Sequence, residues 1–122
     1  IAELICYTAS IKPVFSGAAR RIPIPDTPMG VMGTIPEVRQ AQIVAITRLA
    51  MPHSTVASCT HEPCTLAALG GASFFWAEMG ANPRDIVERT EEGRAHNVEE
   101  LIQTFWESGW NITQGKSRIW AA

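Results

Sequence analysis

The stretch ASFFWA, Ala72 to Ala77, puts six uncharged residues in a row with three aromatic rings at its centre. A strand with one wet face alternates apolar and polar side chains, whereas a strand covered on both faces stays apolar throughout. This run therefore reads as a strand buried inside a sheet. Parallel strands of that kind need long crossover connections, usually helices, and the rest of the chain supplies them.

IAELICYTASI places Leu4, Tyr7, Thr8 and Ile11 on one helical face, and Lys12-Pro13 ends the helix. Val14 and Phe15 begin a strand. Ile22 and Ile24 then alternate with Pro23 and Pro25, and with Pro28 close behind, the segment leaves the sheet as a rigid loop. TIPEVRQAQIVAITRLAM is the clearest helix. Thr34 and Glu37 have capping-box spacing, Pro36 suits a first turn, Val38, Ala41, Ala45 and Leu49 run down one face with Ile46 beside it, and Pro52 stops it. STVASC (Ser54 to Cys59) is a short buried strand, EPCTLAALGG a short helix closed by Gly70-Gly71, and ASFFWAEMG the next strand. A polar, charged stretch at 81–96 is a long loop. NVEELIQTFWESGW is a second strong helix, capped by Asn97 with Glu100 three positions on, carrying Val98, Leu101, Ile102, Phe105 and Trp106 as its apolar stripe and ending at Gly109. A tail follows at 111–122.

Helix, strand, helix, strand, helix, strand, loop, helix is the order of a parallel α/β architecture. The 122 residues make one small segment rather than two domains. Three strands form either a small open sheet or part of an eight-stranded barrel.

Composition narrows the function classes. With 46% hydrophobic and 18% charged residues, the chain has enough apolar side chains for a core. A net charge of -2 and a pI near 5.9 argue against a nucleic-acid surface. The longest apolar stretch, Leu66 to Ala77, falls short of the roughly 20 residues that span a bilayer, so no membrane association is expected. Three cysteines without a disulfide-rich context point to a reducing, cytoplasmic setting. The chain opens at Ile1 without a methionine, and its first residues read as the continuation of a longer protein.

The chemistry-bearing side chains gather in HSTVASCTHEPC, His53 to Cys64. Cys59, His61 and Cys64 offer a set of soft and borderline metal ligands. The second pair of ligands that a zinc knuckle needs has no counterpart. The other reading is a strand end at Ser58-Cys59-Thr60, a cap at Thr60 or His61, and Pro63 in the first turn of the next helix. In parallel α/β folds the carboxyl ends of strands carry the active site, which makes Ser58, Cys59 and Thr60 candidate substrate contacts. Cys59 is expected beside a helix N-terminus, where the thiolate is favoured, with His61 and Glu62 at the rim. Glu78 at the end of the last strand is a pocket carboxylate or a solvated strand exit. Arg20-Arg21 are suited to holding a carboxylate or phosphate in two-pronged fashion, or are solvated at a strand edge. Asn82, Arg84 and Asp85 open a lid or plain surface. A Gly-rich phosphate loop, a G-x-S-x-G elbow and an H-E-x-x-H helix are all missing from the sequence.

Three stretches in order, SGAARRIPIPDTPMG, VRQAQIVAITRLAMP and LAALGGASFFWAEMGANPRD, resemble the C-terminal part of radical S-adenosylmethionine enzymes of the biotin-synthase-like group. That group includes biotin synthase, methylornithine synthase and enzymes of hydrogenase cofactor assembly. The resemblance covers most of residues 14–110. It implies a partial (β/α)8 TIM-type barrel, with the three strands as the sixth to eighth and residues 1–11 as the end of the preceding helix. It implies S-adenosylmethionine and a 4Fe-4S cluster as the complete enzyme's cofactors, and a 5′-deoxyadenosyl radical acting on a small molecule in cofactor or metabolite biosynthesis. The group's C-x3-C-x2-C cluster motif is not in this sequence, so the segment alone is expected to hold no cluster and to be inactive. Asp26 replaces a glycine of the group's P-x-P-G-T-P-L loop. By the same resemblance the substrate contacts fall on Arg21, Ser58, Thr60 and Glu78. The implied partner is an upstream half of the barrel. The competing expectation is a free-standing, non-catalytic α/β binding module, holding metal through Cys59, His61 and Cys64 and acting as a dimer or a subunit.

Overall fold

The computed structural model describes residues 1–21, 23–52, 56–61, 64–77 and 96–116. Helix α1 (Ala2–Ile11) leads into strand β1 (Phe15–Ala19), and a 3-10 turn at Gly30–Met32 precedes helix α2 (Glu37–Ala50). Strand β2 (Ala57–His61), helix α3 (Thr65–Leu69), the short strand β3 (Phe74–Phe75) and helix α4 (Val98–Glu107) follow. The strands form a parallel sheet in the order β1-β2-β3, with Phe15 opposite Ala57 and Cys59 opposite Phe74. The chain is thus mixed α/β with a small, open, three-stranded parallel sheet.

Side chains alternate across a strand, so a few contacts fix the two faces. Thr60 accepts a hydrogen bond from Gln40 of α2, and Phe75 stacks on Phe105 of α4 with ring centroids 4.2 Å apart. Ala18, Cys64 and Phe75 pack against a core of Val44, Ala67 and Ala72. The helix layer therefore covers the face of Ser16, Ala18, Ser58, Thr60 and Phe75. Phe15, Gly17, Ala19, Ala57, Cys59, His61, Phe74 and Trp76 belong to the opposite face, which we call the open face.

Several local expectations change. Helix α2 buries Gln40, Val44 and Thr47, with Met51 just past its end, whereas Val38 is 54% exposed and Leu49 77%. Of the apolar stripe read from the sequence, Val38, Ile46 and Leu49 are exposed and Ala41 and Ala45 half-buried, because a hydrogen-bonding glutamine, a valine and a threonine occupy the inner face. Thr34 and Glu37 do not form a capping box. Pro36 is the N-cap, in extended conformation, so Glu37 is the first helical residue and no side chain caps the helix. The buried strand is Ala57–His61, shifted forward from STVASC by its register with β1. Neither Thr60 nor His61 caps α3. Cys64 stands at the N-cap, and Pro63 lies outside the described residues. The Asn97–Glu100 capping box of α4 is complete in both directions, at 2.8 Å and 3.0 Å. Of that helix's apolar stripe, Leu101 is buried and Phe105 half-buried, whereas Val98, Ile102 and Trp106 are exposed.

Among the described residues, no helix is long and apolar enough to cross a membrane.

Candidate functional site

The candidate contacts Ser58, Cys59 and Thr60 do not line one surface. Ser58 and Thr60 point into the helix layer, and both are buried. Thr60 Oγ1 donates to the Ala18 carbonyl of β1 at 2.8 Å and accepts from Gln40 Nε2 at 2.8 Å. The same Gln40 nitrogen donates to the His61 carbonyl at 2.7 Å. One glutamine thus ties α2 to β2, and through Thr60 to β1. The sequence offered a signal for it. Positions 40, 44, 47 and 51 recur at helical spacing, and a glutamine on that line needs a buried partner. The neighbouring line of Val38, Ala41, Ala45 and Leu49 is the more apolar one and masks it.

Ser58 sits against Ser16, Thr47, Arg48 and Met51 in a gap too small for water. Its Oγ is buried and has no hydrogen-bond partner. Desolvating a hydroxyl without repaying its hydrogen bonds costs about 1 to 3 kcal/mol. Ser58→Ala is therefore expected to raise the unfolding free energy by about 1 kcal/mol in urea denaturation; a loss of stability would show that the hydroxyl is bonded.

Cys59 lies on the open face. The expectation that a helix N-terminus favours its thiolate is overturned, because α3 starts only at Thr65 and Cys59 is buried within β2. Burial pushes the thiol up from the usual 9.0. The buried Trp76 indole N–H, turned toward the sulfur but short of full hydrogen-bond geometry, offsets that only in part. The folded thiol holds its proton more tightly than the unfolded one. The stabilisation this gives is present below pH 9.0 and is lost as pH rises through the higher folded value. At pH 8, a disulfide reagent such as Ellman's should label exposed Cys6 first and Cys59 at least about tenfold more slowly. Equal labelling rates would refute the buried, protonated thiol.

Trp76 is the centre of the open face. His61 stacks on it at 5.8 Å, and Phe15 and Phe74 meet it edge-on at 6.0 Å and 4.7 Å. These rings and Cys59 form an aromatic wall across the open face, from Phe15 at the start of β1 to His61 at the end of β2. Cys59 and Cys64 fall on opposite sides of the sheet. The Cys64 sulfur lies 3.9 Å from Gln40 Oε1, within the helix layer. The set Cys59, His61 and Cys64 is therefore not brought together, and among the described residues no group of three His, Cys, Asp or Glu side chains is placed to hold a metal ion. With Cys6 exposed on α1, the three cysteines do not make a ligand set for an iron–sulfur cluster either.

Arg21 is engaged by the loop that follows it, donating to the Met29 carbonyl at 2.7 Å and the Gly33 carbonyl at 2.6 Å. Arg20 pairs with Glu37, the first residue of α2, at 3.5 Å. These contacts fold the proline segment back over the start of α2. Asp26 in that loop has φ 61°, in the left-handed region that glycine adopts without strain. Glu78, Glu62, His53, Asn82, Arg84 and Asp85 lie outside the described residues.

No family model, no curated protein and no solved structure matches the chain.

Proposed function

We propose that the chain is the substrate-side wall of a (β/α)8-type barrel, contributing its sixth to eighth strands to a radical S-adenosylmethionine enzyme of the biotin-synthase-like group that acts on a small molecule. One observation carries the reading. The three strands are parallel and in sequence order, with the described helices packed against one side only. That arrangement fits a barrel segment, whose other side turns inward, better than a doubly wound sheet, which would place helices on both. On this reading Phe15, Cys59, His61, Phe74 and Trp76 face the barrel interior, and Arg21 positions the loop above its mouth. The cluster and S-adenosylmethionine belong to the part of the barrel that carries a C-x3-C-x2-C motif, and no chemical step is assigned to this segment's cysteines.

The test is made on the full-length natural protein, reconstituted anaerobically with iron and sulfide and then reduced. It should convert S-adenosylmethionine to 5′-deoxyadenosine and methionine. Failure to do so with a cluster in place sinks the proposal.

A second reading rests on α1, whose Leu4, Tyr7 and Ile11 are more than half exposed. A free-standing α/β module acting as a dimer or a subunit would cover that face. A sedimenting dimer that holds no cluster, at any chain length, would favour it.

A further inference from the structure

A cleft of about 680 Å3 opens beside the amino-terminal end of β3, sharing Phe74 with the aromatic wall. Phe74, Phe75, Phe105 and Trp110 form its apolar sides, and Arg48 and Lys116 bring the charge. No aspartate or glutamate is among the described residues that line it, in a chain with 12 acidic residues and a net charge of -2. The described lining of the cleft is therefore positive, against the sign of the whole protein.

Its walls are held in place. Phe75 and Phe105 stack, and the Trp110 indole N–H donates to the Ala68 carbonyl at 3.2 Å. Arg48 Nε donates to the Gly71 carbonyl at 3.2 Å and Nη2 to Ser73 Oγ at 2.6 Å, which fixes the guanidinium at the cleft margin. Aromatic sides, a fixed arginine, a second cation in the lining and a volume in the range of small-molecule sites fit a binding site better than a packing gap.

We propose that this cleft binds a small anionic amphiphile, an aromatic or acyl carboxylate whose apolar body lies against Phe105 and Trp110 and whose carboxylate faces Arg48 and Lys116. The site does not depend on the barrel assignment, since the groups that would hold the ligand, Arg48, Phe105, Trp110 and Lys116, are not among those assigned to the barrel interior.

Titrating the protein with 2-naphthoate should shift the Trp110 indole N–H resonance saturably. The uncharged analogue 2-naphthalenemethanol should bind at least about fivefold more weakly. Lys116→Glu, an exposed substitution that should leave the circular dichroism spectrum unchanged, should weaken naphthoate binding by a similar factor. Raising the salt from low to near-molar concentration should weaken it further. No saturable shift at millimolar ligand, equal binding of the alcohol, or indifference to Lys116→Glu would each overturn the proposal.

Discussion

Gly17→Ala should lower the unfolding free energy by about 3 kcal/mol, at the upper end of overpacking costs, and the melting temperature by about 12 °C for a chain of this length. Gly17 lies opposite Cys59 in the β1–β2 register. A Cβ built on it would fall 1.6 Å from the Cys59 carbonyl oxygen and 2.5 Å from its carbonyl carbon. The obstacle is backbone rather than the end of a flexible side chain, so relief requires the two strands to move apart. That motion would stretch the parallel ladder and the Thr60–Ala18 hydrogen bond beside it. Ala19→Ser, on the same face of the same strand and exposed, is the control and should stay within about 0.5 kcal/mol of the parent. A Gly17→Ala protein that melts within about 2 °C of the parent would refute so close an approach of the strands.

The second large effect is expected at Gln40. Gln40→Ala should cost about 3 kcal/mol, combining a cavity in the helix layer with two lost hydrogen bonds. Gln40→Leu refills most of the volume and isolates the polar contribution, leaving the acceptor side of Thr60 without its donor and weakening the satisfaction of the His61 carbonyl; about 2 kcal/mol is expected. A double-mutant cycle with Thr60→Val separates the pair from its surroundings. If Gln40 and Thr60 act together, the double variant should be about 1 kcal/mol more stable than the sum of the single changes implies. Strict additivity would mean that the 2.8 Å contact contributes nothing of its own.

The contrast between α4 and α2 shows what the sequence makes legible. Asn97 and Glu100 cap α4 through neighbouring atoms, so residue types and spacing suffice to place its start. Pro13 and Pro52 likewise mark helix ends through local sterics. The inner face of α2 is a different matter. Val38, Ile46 and Leu49 are the more apolar residues, yet Gln40 and Thr47 are buried. Gln40 is tied to Thr60, 20 residues away, and no local pattern in α2 announces that partner. The strand pairing of Ser58, Cys59 and Thr60 was legible as a buried, parallel strand end. Which of them turns to which side depends on a single-residue register, and that register is set by β1. The short stretch is therefore split, with Cys59 joining the rings of Phe15, Phe74 and Trp76 while Ser58 and Thr60 serve the helix layer. The separation of Cys59 from Cys64 follows from the same alternation.

The sheet's in-order pairing has a consequence for how the molecule comes together in time. Contacts across β1 and β2 span 42 residues, as from Ala18 to Thr60, whereas those across β2 and β3 span 15, as from Ser58 to Ser73. The entropy of closing a loop grows with the logarithm of its length, and this ratio makes the shorter closure cheaper by about 0.9 kcal/mol. The β2–α3–β3 unit is also where Ala67 and Ala72 enter the core and where Arg48 of α2 docks on Gly71 and Ser73. Assembly of the sheet is thereby biased to begin at its carboxyl-terminal pair. β1, with its glycine pressed against the Cys59 carbonyl, is the strand that docks last, onto the open edge of β2.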